Sequence, residues 1–138
     1  MRTELVTTLK RKATEIIAGF ESDQDPVLIT QPVVLGDLID SVSGVDLSRV
    51  QVSEGMNGHL FWMMQELYND VTRQTGNETG CLVIDLARKL PKNTYLFYDW
   101  FHYTNAGAAE VAKIVYSDLQ PYLEKKFPGH VKKELIAL

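Results

Sequence analysis

Apolar side chains recur at helical spacing in three stretches of the chain. The stretches are residues 3–20, 57–75 and 105–127, and each carries an apolar stripe with polar residues mostly off it. The stripe positions are Leu5, Leu9, Ala13, Ile16, Ile17 and Phe20, then Leu60, Met64, Leu67, Tyr68 and Val71, then Ala108, Val111, Ala112, Val115, Leu119, Tyr122 and Leu123. The pattern predicts three amphipathic helices, the third kinked or briefly interrupted at Pro121.

Two short apolar runs separate these helices. Residues 26–32 lie between two prolines, and residues 81–86 follow a glycine-containing break. Their length and β-branched content predict buried, parallel strands. The order helix, strand, helix, strand, helix is typical of α/β proteins. The 138 residues fit one domain.

Residues 33–56 form the least regular part of the chain. Gly36, Gly44 and Gly55 interrupt it, and the pattern predicts a long loop with at most a short helical turn. A loop of this length often belongs to a functional site. It also contains four serines that could approach a catalytic group, Ser41, Ser43, Ser48 and Ser53. For residues 130–138 the sequence predicts a short tail helix or an ordered extension.

The strongest candidate chemistry lies just before the third helix. Asp99 and His102 stand three residues apart on a short loop, so both side chains can face one cleft. An aspartate in that position can orient an imidazole and hold its charge while the ring moves a proton. The alternatives are a surface loop with a chance Asp and His, or two side chains that cap the helix. Thr104 or Asn105 is a suitable N-cap.

Composition and charge narrow the classes of function. The net charge is −4 and the basic residues are scattered, which argues against nucleic acid as a partner. No apolar run reaches the ~18 residues of a membrane span, and no secretory signal is evident, so the cytoplasm is the default location.

The single cysteine, Cys81, is expected to be a small buried hydrophobe. No cofactor or metal pattern is present. We expect His59 at the surface and Asp85 in a structural role.

The ordered segments resemble the C-terminal half of an SGNH (GDSL-type) hydrolase. The resemblance covers residues ~26–125 and rests on the strand that ends in Thr30-Gln31-Pro32, on Leu67-Tyr68-Asn69, on the strand at 82–86, and on the block from Tyr98 to Gly107. The block is the most specific part. The resemblance as a whole implies a flavodoxin-like three-layer sandwich with helices on both faces of a parallel sheet. Asp99 then resembles the triad acid and His102 the general base, while Gly107 lets the helix start pack closely.

The family's nucleophile and oxyanion-binding groups have no convincing counterpart here. Its catalytic Ser, Gly and Asn come from three blocks that precede these strands. Residues 33–38 resemble a Gly-Asp-Ser block, but Leu38 stands where the motif needs Ser. Residues 1–138 therefore resemble a single partial domain. The resemblance implies an ester hydrolase that is inactive alone unless another segment, another chain or the 33–56 loop supplies the serine.

A second hypothesis is a binding or assembly module that kept the half-fold and lost the chemistry. Two parallel strands leave open edges and apolar faces, and the missing strands would cover them in the full fold. The sequence therefore predicts a homodimer, or association with a complementing chain. If the chain is active, its substrate would be a small ester. A third hypothesis is a structural domain without any activity.

Overall fold

The computed structural model describes residues 2–130 of the protein. The chain forms eight elements in the order α1, β1, β2, β3, α2, β4, α3, α4. Their bounds are Arg2–Ala18 for α1, Val27–Ile29 for β1, Gln51–Ser53 for β2, Met56–Asn57 for β3, Gly58–Thr79 for α2, Leu82–Ile84 for β4, Leu86–Lys89 for α3 and Asn105–Lys126 for α4.

The strands β1 and β4 pair in parallel, as the sequence predicts. Val27, Leu28 and Ile29 lie opposite Leu82, Val83 and Ile84. The helix α2 connects the two strands and contacts both, and α4 contacts β4. This is the helical crossover that parallel neighbours require. The fold is therefore a mixed α/β structure with a small parallel sheet.

The prediction that the first strand is buried was wrong. Ile29 is 48% exposed, and Val27 and Leu28 are only partly covered. Within residues 2–130 the parallel sheet contains β1 and β4 alone, so β1 has an open edge. In β4, by contrast, Ile84 is almost completely buried. The apolar run correctly indicates a strand, but its burial depends on neighbours that these residues do not provide.

The predicted stripe of α2 is only partly correct: Val71 is buried, as expected, and Leu67 is half-buried. Leu60, Met64 and Tyr68 are exposed, and the buried positions are Gly58, Asn69, Val71, Thr75 and Gly76. A Cβ atom on Gly76 would lie 2.0 Å from Cγ2 of Val83, so the helix backbone packs directly on the sheet. Small residues face the sheet because larger ones do not fit. The helix also continues past Gly76, where the sequence predicted its end, and stops at Gly80 with φ 75°.

Residues 33–56 are more ordered than predicted. Val33, Val34, Leu35 and Leu47 are buried in the core. The segment also contains the antiparallel pair β2 and β3 and an isolated bridge between Ile39 and Asp46. Alternation could not reveal these elements, because each has three residues or fewer and is stabilised by contacts with distant parts of the chain.

The first and last helices are only partly covered. Ile16 is 69% exposed and Phe20, which follows the end of α1, is 46% exposed. The helix α4 runs through Pro121 as one element, where an interruption had been one of two expectations, and Gly107 is its one buried position. The predicted tail lies beyond His130, outside the described residues. Within residues 2–130 no helix is long and apolar enough to cross a membrane.

Candidate active site

The loop that carries Asp99 and His102 is held at both ends by backbone hydrogen bonds. The amide of Val34, a few residues past the C-terminal end of β1, donates to the carbonyl of Trp100 at 2.9 Å. The amide of Tyr98 donates to the carbonyl of His102 at 3.1 Å, and the amide of Thr104 donates to Leu96 at 3.0 Å. The loop therefore lies beside the chain that leaves β1, the side where ligands bind in open α/β sheets.

Asp99 and His102 form a direct pair. The imidazole Nδ1 lies 2.6 Å from Oδ2 of Asp99. The other oxygen, Oδ1, accepts hydrogen bonds from the backbone amides of Phe101 at 3.0 Å and His102 at 2.8 Å. The amide of Phe101 is the main cause of a lowered pKa at Asp99, followed by the His102 ring, and together they bring it to about 2. The carboxylate is therefore ionised at neutral pH and can only accept.

This arrangement determines which ring nitrogen is available. Since an ionised carboxylate can only accept, Nδ1 of the neutral imidazole carries the hydrogen of this bond, and Nε2 then has a lone pair that can accept a proton. The His102 side chain is 54% exposed and that of Asp99 is 39% exposed, so a reactant can approach. Tyr98 stacks on the imidazole with centroids 5.7 Å apart, and Phe101 lies at 4.5 Å. The two aromatic rings restrict the movement of the imidazole.

The start of α4 fixes the far end of the loop. Thr104 is the N-cap: its Oγ1 accepts from the amide of Gly107 at 3.1 Å and donates to the carbonyl of Tyr95 at 2.7 Å. A Cβ atom on Gly107 would lie 2.0 Å from the carbonyl oxygen of Leu96. The close packing expected at Gly107 is therefore present, and no larger residue fits without movement of the backbone.

The serines of the 33–56 segment do not reach His102. The hydroxyl of Ser43 donates to Asp40, and that of Ser48 donates to Asp46 at 2.6 Å. In the part of the chain that the structure describes, no serine hydroxyl forms a hydrogen bond with the His102 ring. The pair has a base and an orienting acid but no attacking atom among its hydrogen-bond partners.

A second Asp–His pair was missed by sequence reasoning. Nδ1 of His59 lies 2.6 Å from Oδ1 of Asp37, and both side chains are about half exposed. His59 is therefore accessible, as predicted, but it is not isolated. Its amide also donates to the carbonyl of Ser48 at 3.0 Å. The two partners are 22 positions apart in the chain, so no local motif could have indicated the pair.

A polar network closes the C-terminal ends of both strands. Asp85 follows β4 and accepts from Nε of Arg73 at 2.8 Å and from the Thr30 hydroxyl at 2.9 Å. Burial alone would raise the pKa of Asp85, but Arg73 and Thr30 lower it. Asn69 exchanges two hydrogen bonds with the backbone of Gln31. The structural role expected of Asp85 is thus to bind Arg73, and the network holds the strand ends together beneath the site.

A buried carboxylate connects the two loops of this region. Asp40 is 1% exposed and accepts from the Ser43 hydroxyl and from the amide and hydroxyl of Thr94, the latter at 3.1 Å and 2.6 Å. Burial would raise the pKa of Asp40, but these hydrogen bonds hold it well below its usual range. Thr94 lies five residues before Asp99, so Asp40 attaches the 33–56 segment to the loop that leads to Asp99.

Within residues 2–130 no group of three or more His, Cys, Asp or Glu side chains is arranged to hold a metal ion. Cys81 is half-buried and accepts a hydrogen bond from Thr79 at 3.2 Å.

A scan against protein-family models, a search of curated proteins and a search of solved structures each found no match to this chain.

Proposed function

We propose that this chain carries the acid–base part of an SGNH-type ester hydrolase, with Asp99 as the orienting acid and His102 as the general base. One observation supports the proposal above all others: the carboxylate of Asp99 is held by two backbone amides and lies 2.6 Å from the ring. A ring fixed in this way presents Nε2 as the base. We infer further that β1 and β4 belong to a flavodoxin-like three-layer sandwich with helices on both faces.

In this proposal His102 removes a proton from a serine hydroxyl while the serine oxygen attacks the ester carbonyl. The imidazolium then returns the proton to the leaving alkoxide, and an acyl-enzyme remains. Water repeats the sequence with the acyl group and releases the acid and the serine. The serine and the oxyanion donors come from another chain or another segment. The chain by itself supports only slow, His102-dependent attack by water.

The test is hydrolysis of 4-nitrophenyl acetate by the purified chain and by two variants. His102→Ala should abolish most of the rate above buffer. His59→Ala is the matched control, because it removes the imidazole of the second Asp–His pair and should leave the rate nearly unchanged. Equal rates for the wild type and His102→Ala would contradict the proposal. A fluorophosphonate should not label the chain alone, and labelling of Ser43 or Ser48 would instead indicate a nucleophile from the 33–56 segment.

The second candidate is a binding or assembly module that works as an oligomer. The specific observation is the open edge of β1, where Ile29 is 48% exposed. Ile16 and Phe20 of the α1 region are also exposed. Hiding roughly 400 Å² of apolar surface at ~25 cal/mol per Å² would contribute about 10 kcal/mol, which is comparable with the cost of association. We propose a homodimer formed through this edge, with a complementing chain as the alternative.

Sedimentation at micromolar concentration tests the assembly. We expect a dimer for the wild type and a monomer for Ile29→Lys, because a charge on an edge strand opposes pairing with another strand. Val42→Lys is the control, since Val42 is 60% exposed and lies in the 33–56 segment, outside β1. A wild type that remains monomeric with cooperative unfolding would contradict the homodimer.

A further inference from the structure

A groove lies between the first half of α2 and the turn that follows α3. It has a volume of about 610 Å³ and is open to solvent along one side. Trp62, Leu38, Leu90 and Pro91 provide its apolar surface, and Lys92 provides a cation at one end. None of these residues belongs to the Asp99–His102 loop or contacts the His102 ring in the described structure. The groove combines a small number of polar groups with an apolar wall, as ligand sites do.

The ammonium group of Lys92 is poorly satisfied by the protein. Nζ lies 5.3 Å from the centroid of the Trp62 ring and 3.4 Å from the carbonyl oxygen of Leu35. An ammonium has three donors, and within residues 2–130 the Leu35 carbonyl is its one hydrogen-bond acceptor. Lys92 is half-buried, and this burial lowers its pKa, while nearby Glu66 acts in the opposite direction.

The other charges of the groove are already matched. Glu66 forms an ion pair with Arg73 at 3.1 Å and accepts a hydrogen bond from Asn69 at 3.1 Å. Arg88 lies 3.4 Å from Asp85. In the described part of the chain no carboxylate lies within 4.0 Å of Nζ of Lys92. Within residues 2–130 the donors of Lys92 are therefore not used by a protein carboxylate, and the anionic end of a ligand would accept hydrogen bonds from them.

Gly36 lies close to three residues that line the groove. Its φ is 155°, and a Cβ atom there would lie 3.0 Å from Leu38 and 3.6 Å from both Nζ of Lys92 and the Trp62 ring. A side chain at this position would fill the space between the cation and the indole. The absence of a side chain leaves the face of Trp62 and the donors of Lys92 accessible from the same cavity.

We propose that this groove binds the carboxylate end of an amphiphilic monocarboxylic acid. The carboxylate accepts hydrogen bonds from Nζ of Lys92, and the hydrocarbon body packs on Trp62, Leu38 and Leu90. A single ammonium with Glu66 nearby favours a monoanion over a phosphate dianion, which would need more positive charge. The inference does not depend on the ester hydrolase proposal, because neither Asp99 nor His102 takes part.

The test is an NMR titration of the ¹⁵N-labelled chain with octanoate and with octan-1-ol. Trp62 and Trp100 are the two tryptophans, so their indole N–H signals report two separate places. We expect octanoate to shift the Trp62 signal in a saturable way and to leave Trp100 unchanged. Octan-1-ol should bind at least about tenfold more weakly, because it lacks the charge-assisted hydrogen bond.

Lys92→Met keeps the length of the side chain and removes the charge. It should weaken octanoate binding by about tenfold or more and leave octan-1-ol binding unchanged. Lys113→Met is the matched control, since Lys113 is exposed and pairs with Glu110 at 3.1 Å on α4. If Lys92→Met does not fold, Lys92→Gln serves the same purpose. His102→Ala should bind octanoate as the wild type does, which separates this inference from the catalytic proposal.

Two results would overturn the inference. One is octanoate binding that is equally tight in Lys92→Met or Lys92→Gln. The other is a set of octanoate-induced shifts that omits Trp62 and maps to the apolar cleft between α1 and β1, which Ile16, Phe20 and Leu28 line. That cleft lacks a cation among its lining residues, so octan-1-ol and octanoate would then bind alike.

Discussion

The protein contains two Asp–His pairs with the same short contact and different support. In both, Nδ1 of the imidazole lies 2.6 Å from a carboxylate oxygen. Asp99 also accepts hydrogen bonds from two backbone amides, and its histidine is flanked by Tyr98 and Phe101. Asp37 accepts only from His59 within residues 2–130.

The difference shows what a fixed base requires beyond proximity. In the Asp99 loop, the partners are three residues apart. The oxygen Oδ1 accepts from two backbone amides, and these hydrogen bonds fix the carboxylate plane while Oδ2 contacts the ring. The ring has few alternative positions. The Asp37 side chain must instead be placed by the whole 33–56 segment and by the start of α2. Among residues 2–130 no hydrogen bond holds its second oxygen. Preorganisation of this kind is a requirement for a catalytic pair, and Asp99–His102 has more of it than Asp37–His59.

The largest effect should come from a methyl group at Gly107. In Gly107→Ala the new Cβ would lie 2.0 Å from the carbonyl oxygen of Leu96, so the backbone at the start of α4 must move. We expect a loss of about 3 kcal/mol or more in the free energy of unfolding, together with loss of His102-dependent hydrolysis. Urea unfolding measures the first effect and the 4-nitrophenyl acetate assay the second.

Two other glycines make this result specific. Gly58→Ala places its Cβ 1.9 Å from the carbonyl oxygen of Leu47. Since Gly58 precedes His59, this variant should disturb the second pair and lower the free energy of unfolding by a similar amount. Gly129→Ala meets nothing within 4 Å and should leave stability unchanged. A stability of Gly107→Ala equal to that of Gly129→Ala would mean that the Asp99 loop is not held by the contact with Leu96.

An intermediate effect is expected at Asp40, which joins the regions of the two pairs. Asp40→Asn removes a buried carboxylate that accepts from Ser43 and Thr94, and we expect a loss of about 1–3 kcal/mol. The folded pKa of Asp40 lies below the ordinary value of 3.8, so its contribution is present above that pH and is lost as the pH falls towards the folded value. The wild-type and variant stabilities should therefore converge in acid.

Unfolding curves at pH 7 and pH 3 check this prediction. Asp23→Asn provides the control, because Asp23 is exposed in the turn between α1 and β1. A difference between wild type and Asp40→Asn that is as large at pH 3 as at pH 7 would show that packing, and not the charge, explains the effect.

Much of the fold and of the site could be predicted where the signal is local. The sequence indicated the parallel strands through two short apolar runs, and the parallel pairing of Leu28 with Val83 confirms that prediction. Asp99 and His102 were evident because their spacing, Thr104 and Gly107 all lie within nine residues. The chemical role of the pair stays a prediction.

The remainder depends on contacts between distant residues. The stripe predicted for α2 was correct at Val71 and wrong at Leu60 and Met64. Close approach of the sheet selects the smaller Gly76 and Thr75. The Asp37–His59 pair and the attachment of Asp40 to Thr94 join residues 22 and 54 positions apart. Periodicity describes one element at a time, so it cannot identify such partners.

The smallest effect, and the most direct contrast between the two pairs, is the response of backbone amides to acid. The pKa of Asp99 is lowered to about 2, chiefly by the amide of Phe101 and then by the ring of His102. Because the folded pKa is depressed, these hydrogen bonds are complete above the ordinary carboxyl range and weaken as the pH falls through about 2.

We expect the ¹H amide shifts of Phe101 and His102 to move upfield together in that range. Asp37 accepts no backbone amide within residues 2–130, so no amide pair beside it should follow its protonation. Asp99→Asn is the control and should abolish the transition at Phe101 and His102. If the two amides titrate instead around pH 4, the backbone does not hold the carboxylate more firmly than a solvated one, and the contrast between the pairs fails.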